Sequence, residues 1–260
     1  MIRAATLAAD GLAAASLRLD TVEVREKGTS DFVSSEDLRA EATIRAELGR
    51  AFPDHGLLLE ESDEVGAGSG SRFIVDPLDG TTNFVHGIPH FSVSIAREVN
   101  GEIVSGTVVD VMRREIFWAE RGVGAWLGER RLAVSAEREL SRAVIGTGIP
   151  HRGGADPARY LLALARVMSD VAGIRRFGSA ALDLAYVAAG RVEAFFERGL
   201  SPWDVAAGAL LVREAGGEVT RIDGSAHHLH GDVLATAGGT MHAAMLARIA
   251  PLHGASSAGG

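Results

Sequence analysis

Residues 72–84 run RFIVDPLDGTTNF. The apolar segment Phe73–Val75 predicts a buried strand, and it leads straight into two aspartates, Asp76 and Asp79, that bracket Pro77 and Leu78. One aspartate beside Gly80 is explained by turn chemistry, because an Asp side chain can bond its own backbone in an Asx-turn. The turn needs no second one. Hard divalent cations take carboxylate and main-chain carbonyl oxygens, so this turn would offer Asp76, the Leu78 carbonyl and Asp79 within one small volume.

Composition narrows the surroundings of that turn. The 260 residues are 47% apolar and 23% charged, enough for a full-sized core in one large domain or two closely packed halves. The sequence has no uncharged apolar run of about 18 residues and no secretory leader, so a cytoplasmic protein without a membrane partner is expected. The absence of cysteine excludes disulfides, thiolate metal sites and a cysteine nucleophile. Any metal must therefore be held by oxygen or imidazole. A formal charge of −8 argues against nucleic acid as the main ligand. It leaves a phosphate substrate open, since bound cations can supply the local positive charge.

The pattern along the chain divides in two. The first twenty residues predict a helix, "EKGTSDF" a loop, and Ser34 or Ser35 the cap of a second helix reaching about Arg50. Leu57–Glu60 predicts a short strand, and Asn100-Gly101 marks a tight hairpin inside "FSVSIAREVNGEIVSGTVVDV". "EIFWAE" and "RGVGAW" extend an antiparallel sheet. After Ser141 short apolar strands alternate with helical stretches at 157–169, 179–189 and 203–215, the signature of an α/β layer. The expectation is an α+β subdomain over 1–140, an α/β subdomain over 141–253 and a disordered tail over 254–260.

Other acids stand at strand ends and helix starts, where ligand crevices form. Each has a plainer role open to it. Glu60 and Glu61 follow "HGLLL", and Glu197 ends "VEAFFE"; either place is also a solvated strand end. Asp204 in "SPWD" could serve only the helix dipole, and Asp37 only a capping box with Ser34. "HHLH" at 227–230 is read as a surface loop, and His86 and His90 as structural or loop residues.

Taken together, "EES" at 60–62, "DPLDGTTNFVHGIPHFSVSIA" at 76–96, "GSAALDLAYVAAGRVEAFFE" at 178–197 and "PWDVAAGALLVREAGG" at 202–217 resemble the inositol monophosphatase family of magnesium-dependent, lithium-sensitive phosphatases. The resemblance implies a layered α-β-α-β-α sandwich, antiparallel in its first sheet and mostly parallel in its second, usually a homodimer. It implies two or three magnesium ions on Glu60, Asp76, the Leu78 carbonyl, Asp79 and Asp204. Thr81 and Glu60 would orient the attacking water, and Asp37 would help from the outer shell. Lys27 and Asp31 fall in the family's mobile metal-binding loop. Asp79, Gly80 and Thr81 would contact the phosphate, with Ala180, Glu197 and Asp204 also in the substrate site. Phe73 departs from the aromatic more common before the turn and is read as a packing change. The implied reaction is hydrolysis of inositol monophosphate by in-line attack of a metal-activated water. Sister groups act on histidinol phosphate, fructose 1,6-bisphosphate or adenosine 3′,5′-bisphosphate, and some bacterial members carry a regulatory binding role.

Overall fold

Asn100 and Gly101 both take positive φ, 52° and 81°, as a tight hairpin turn whose twist matches its strands requires. The computed structural model describes residues 1–28, 31–62, 64–66, 70–149, 156–227 and 229–252. The side chains of Lys27 and Asp31, His228 and the tail 254–260 lie outside the described residues.

The chain opens with α1 (Ile2–Ser16), β1 (Val24–Gly28), β2 (Asp31–Ser34) and α2 (Ser35–Ala51). Next come β3 (Gly56–Leu59), β4 (Ser71–Asp79) and the short α3 (Thr81–Val85). The hairpin of β5 (Ser92–Val99) and β6 (Glu102–Asp110) leads to β7 (Glu115–Glu120), β8 (Gly124–Leu127) and β9 (Arg130–Arg131). Strands β3 to β9 make one seven-stranded sheet in chain order, antiparallel except where β3 and β4 run side by side.

The rest comprises β10 (Val144–Thr147), α4 (Pro157–Met168), β11 (Gly173–Arg175), α5 (Ala180–Ala188) and β12 (Ala194–Leu200). It ends with α6 (Pro202–Glu214), β13 (Glu218–Thr220), β14 (Gly231–Thr236) and α7 (Thr240–Ile249). The five-stranded sheet has the order β11-β10-β12-β14-β13. Its strands point one way apart from β14, which makes it mostly parallel, as expected.

The layers follow from which faces are apolar. α1 and α2 cover the outer face of the first sheet through Ala5, Leu12, Ile44 and Leu48, packed on Phe73, Val75 and Ile95. α5 and α6, buried along most of their length, fill the space between the sheets. α4 and α7 close the far side over Phe196 and Leu234. The result is the α-β-α-β-α sandwich. Among the described residues no helix is long and apolar enough to cross a membrane.

Two expectations need correction. "EKGTSDF" is not a loop throughout, because β1 and β2 pair there, Glu26 opposite Phe32 and Gly28 opposite Asp31. The segment is rich in charge and lacks a sustained alternation of apolar residues, so it carries little strand signal. His227 is buried, not a surface-loop residue, beside the bridge between Thr220 and Ala226. His86 is exposed, whereas His90 is buried with its ring stacked on Phe177.

The middle layer approaches the first sheet as closely as backbone allows. A methyl group on Gly106 of β6 would lie 2.9 Å from Cα of Ala207 in α6, and backbone cannot step aside as a side chain can. Gly106→Ala is expected to destabilise the protein by about 1–3 kcal/mol through overpacking. Gly11→Ala, exposed on α1 with nothing within 4 Å, should instead add about 0.4–1 kcal/mol. Urea denaturation of both variants checks the pair of signs.

Candidate active site

The two aspartates of the opening stretch face the same way because β4 carries one extra residue. Asp76 pairs with Ser94 of β5 and Asp79 with Ser92, three steps on one strand against two on the other. Side chains alternate along a regular strand, so without this bulge Asp79 would face away from Asp76. Pro77, which has no N–H to give a ladder, sits inside the irregular part. β3 runs parallel to β4 with Leu59 level with Val75, so Glu60, the next residue, comes beside Asp76. The first turn of α6 adds Asp204. One carboxylate oxygen from each of Asp76, Asp79 and Asp204 lies within 4.8 Å of the others.

Each acid is fixed by backbone or hydroxyl donors. Asp76 Oδ1 accepts from the Leu78 N–H at 2.9 Å, which is the Asx-turn. Asp79 Oδ2 reaches across to the start of α5, accepting from the Ser179 hydroxyl at 2.6 Å and the Ala181 N–H at 2.8 Å. Asp204 Oδ2 accepts from the Ser201 N–H at 2.7 Å. Asp37 does complete a capping box, its Oδ2 taking the Ser34 N–H at 2.8 Å and hydroxyl at 2.5 Å. Its other oxygen lies 3.0 Å from the Thr81 hydroxyl, which is also 3.0 Å from the Leu78 carbonyl. The capping role and the contact with Thr81 therefore coexist.

Gly80 has φ +98°, and a Cβ there would press within 3.1 Å of the Gly178 carbonyl, so the left-handed turn excludes other residues. Ala180 opens α5, buried, with its backbone N–H directed at Asp79. Glu197 on β12 is half-buried, its side chain lying over Gly148. Four residues were not singled out beforehand. Ser179 and Ser92 contact Asp79, Asn83 clamps the His90 and Phe177 carbonyls at 2.7 and 2.8 Å, and Asp183 lies buried at 2% exposure. Their signal was faint: each sits inside a quoted motif, but nothing local says which way it points.

Charge is the unusual feature. Burial pushes the Asp76 carboxyl well above its ordinary range, and Glu60, Asp79 and Asp204 push it further. Burial also raises Asp79, partly offset by the Ser179 hydroxyl and the Ala181 and Ala180 N–H groups. Asp37 is raised by burial and held back by Ser34 and Thr81. No Lys or Arg among the described residues forms an ion pair with Asp76 or Asp79. An all-oxygen donor set built around two buried aspartates fits a hard divalent ion.

A sequence profile described as the inositol monophosphatase family matches residues 2–253. The chain belongs to the inositol monophosphatase family. It is 52% identical over 225 residues to an inositol-1-monophosphatase of Rhizobium meliloti, covering 86% of this chain and 85% of that one. It is 48% identical to a protein named Nus factor SuhB from Pseudomonas aeruginosa, over 86% and 84% of the two chains. The crystal structure of the extragenic suppressor protein suhB from Bartonella henselae superposes with a TM-score of 0.92 at 47% identity, covering 96% of each chain.

A carboxyl group raised by folding binds more protons folded than unfolded, so its contribution is complete below the unfolded Asp pKa, about 3.9, and is lost as pH climbs through the folded value. Chelator-treated protein should accordingly lose thermal stability as pH rises from about 4 toward neutrality. Asp76→Asn should flatten that loss, and magnesium should reverse it in the wild-type chain alone. Melting curves across pH, with and without the ion, check both; a stability that climbs with pH in chelator would contradict the charge assignment.

Proposed function

We propose that this protein is a divalent-cation-dependent phosphomonoesterase that converts an inositol monophosphate to inositol and inorganic phosphate, with magnesium as the ion. Membership of the family makes it a phosphatase, and the ion and the substrate are the finer reading. That reading is carried by Asp76, Asp79 and Asp204, whose carboxylates lie within 4.8 Å of one another, the bulge of β4 turning Asp79 to the side of Asp76.

Asp76, Asp79, Asp204, Glu60 and the Leu78 carbonyl would hold the cations. When bound, these ions neutralise the carboxylates, clamp the phosphate, acidify a water and stabilise the leaving alkoxide. The protein's own groups do the orienting. A Thr81 hydroxyl that donates to Asp37 or to the Leu78 carbonyl keeps a lone pair for the attacking water, and Glu60, beside Asp76, accepts from the same water. Asp37, locked by Ser34, keeps Thr81 in that rotamer. The backbone of Gly80, with no Cβ in the way, leaves space for the phosphate. Glu197 accepts hydrogen bonds from the ring hydroxyls, with Ala180 beside the ring. The relatives named Nus factor favour an additional, non-catalytic role through a protein partner.

Asp79→Asn keeps volume and removes charge, so turnover at saturating magnesium should fall by about 100-fold or more with the fold unchanged. Turnover within a factor of about ten of wild type would end the assignment.

Loss of a charge-assisted hydrogen bond costs about 1.5–3 kcal/mol, so Glu197→Gln should lower kcat/KM on myo-inositol 1-phosphate by about 10- to 100-fold. Hydrolysis of a simple aryl phosphate, which has no ring hydroxyls, should be nearly unchanged. Equal losses on both substrates would place Glu197 in cation or water binding instead.

A further inference from the structure

Gly146 of β10 and Gly148, the residue just past its end, are two glycines whose missing side chains are both occupied by carboxyl groups from other elements. A Cβ on Gly146 would lie 2.7 Å from Asp183 Oδ1, and a Cβ on Gly148 would overlap the Glu197 carboxyl carbon and both its oxygens. Gly148 stands two positions after Gly146, and Glu197 two after Phe195 of β12, whose ring also borders Gly146. Neither glycine has the positive φ that reserves a position for glycine. Space is therefore what these two positions supply.

We infer that Gly148 is a specificity-determining residue: it forms a slot at the end of β10 that sets where the Glu197 carboxylate stands, and so which ring hydroxyls the site can hold. The inference rests on the reading of Glu197 as the ring-hydroxyl acceptor.

The strand around the slot cannot retreat. The Thr147 hydroxyl donates to the Phe196 carbonyl at 3.0 Å and lies 3.2 Å from the Tyr160 hydroxyl, while the Gly148 N–H donates to the same Phe196 carbonyl at 3.4 Å. β10 is thus tied to the strand that carries Glu197, one residue before it. An added methyl group must move the Glu197 side chain, whose carboxyl group it would overlap. The neighbouring slot is filled by Asp183, buried at the first turn of α5, the same turn whose Ser179 and Ala181 hold Asp79. Burial raises the Asp183 carboxyl well above its ordinary range, and the nearby charges of Glu197 and Asp79 raise it further. The first turn of α5 and the two glycines together fix the Glu197 carboxylate relative to Asp79.

The test is a double-mutant cycle with Gly148→Ala, Glu197→Gln and the pair, assayed on myo-inositol 1-phosphate and on an aryl phosphate, with melting temperatures as a check on folding. Gly148→Ala should lose about 10- to 100-fold in kcat/KM on the inositol substrate, match wild type on the aryl phosphate, and add nothing to the loss of Glu197→Gln. If Glu197→Gln shows its selective loss and Gly148→Ala does not, or if the two losses multiply, the slot is not what positions Glu197. If Gly148→Ala lowers both substrates equally, it acts on the whole site and the inference is overturned. If Glu197→Gln itself leaves both substrates untouched, the reading of Glu197 fails and the slot has no specificity to set.

Discussion

The structure turns on the repulsion among converging carboxylates, two of which, Asp76 and Asp79, are buried with no Lys or Arg ion pair among the described residues. Asp76, Asp79 and Asp204 converge within 4.8 Å with Glu60 beside them, and burial of Asp76 and Asp79 leaves water little room to screen those two. At this spacing like charges favour protonation or a bound cation. The surrounding elements keep the acids converged in spite of that repulsion. The bulge of β4 turns Asp79 to the side of Asp76, the parallel pairing of β3 brings in Glu60, and the start of α6 brings in Asp204.

The means of holding them is the ordinary chemistry of turns and helix caps. Asp76 closes an Asx-turn, Asp37 and Asp204 accept from the backbone N–H groups of the serines three residues before them, and Asp79 accepts from the first turn of α5. At Asp37 the cap uses one carboxylate oxygen, and the second faces Thr81. At Asp37 the local structural role and the proposed catalytic role therefore do not compete. The anchoring supplies the fixed geometry that electrostatic catalysis requires.

Much of this was legible in the sequence because it rests on short-range signals. The doubled aspartate around Pro77 and Leu78 announced a turn with surplus charge, Asn100-Gly101 announced the hairpin, and Ser34 and Ser201 announced their helices. What stayed hidden depends on contacts between distant segments. Ser179 meets Asp79 across 100 positions, Ser92 joins them from β5, and Asp183 and Glu197 fill spaces left by Gly146 and Gly148 from other elements. The β1–β2 pair stayed hidden for another reason: its strands pair with each other and carry few apolar residues, so the alternation that betrays a buried strand is weak there.

The central claim is that Asp76, Asp79 and Asp204 jointly bind divalent cations. Manganese gives an anomalous diffraction signal and takes the same oxygen ligands as magnesium. Crystals grown with manganese should show anomalous peaks in contact with Asp76 and Asp79, one of them also touching Asp204. Crystals in which those carboxylates contact only one another and ordered water, with manganese bound elsewhere, would contradict it.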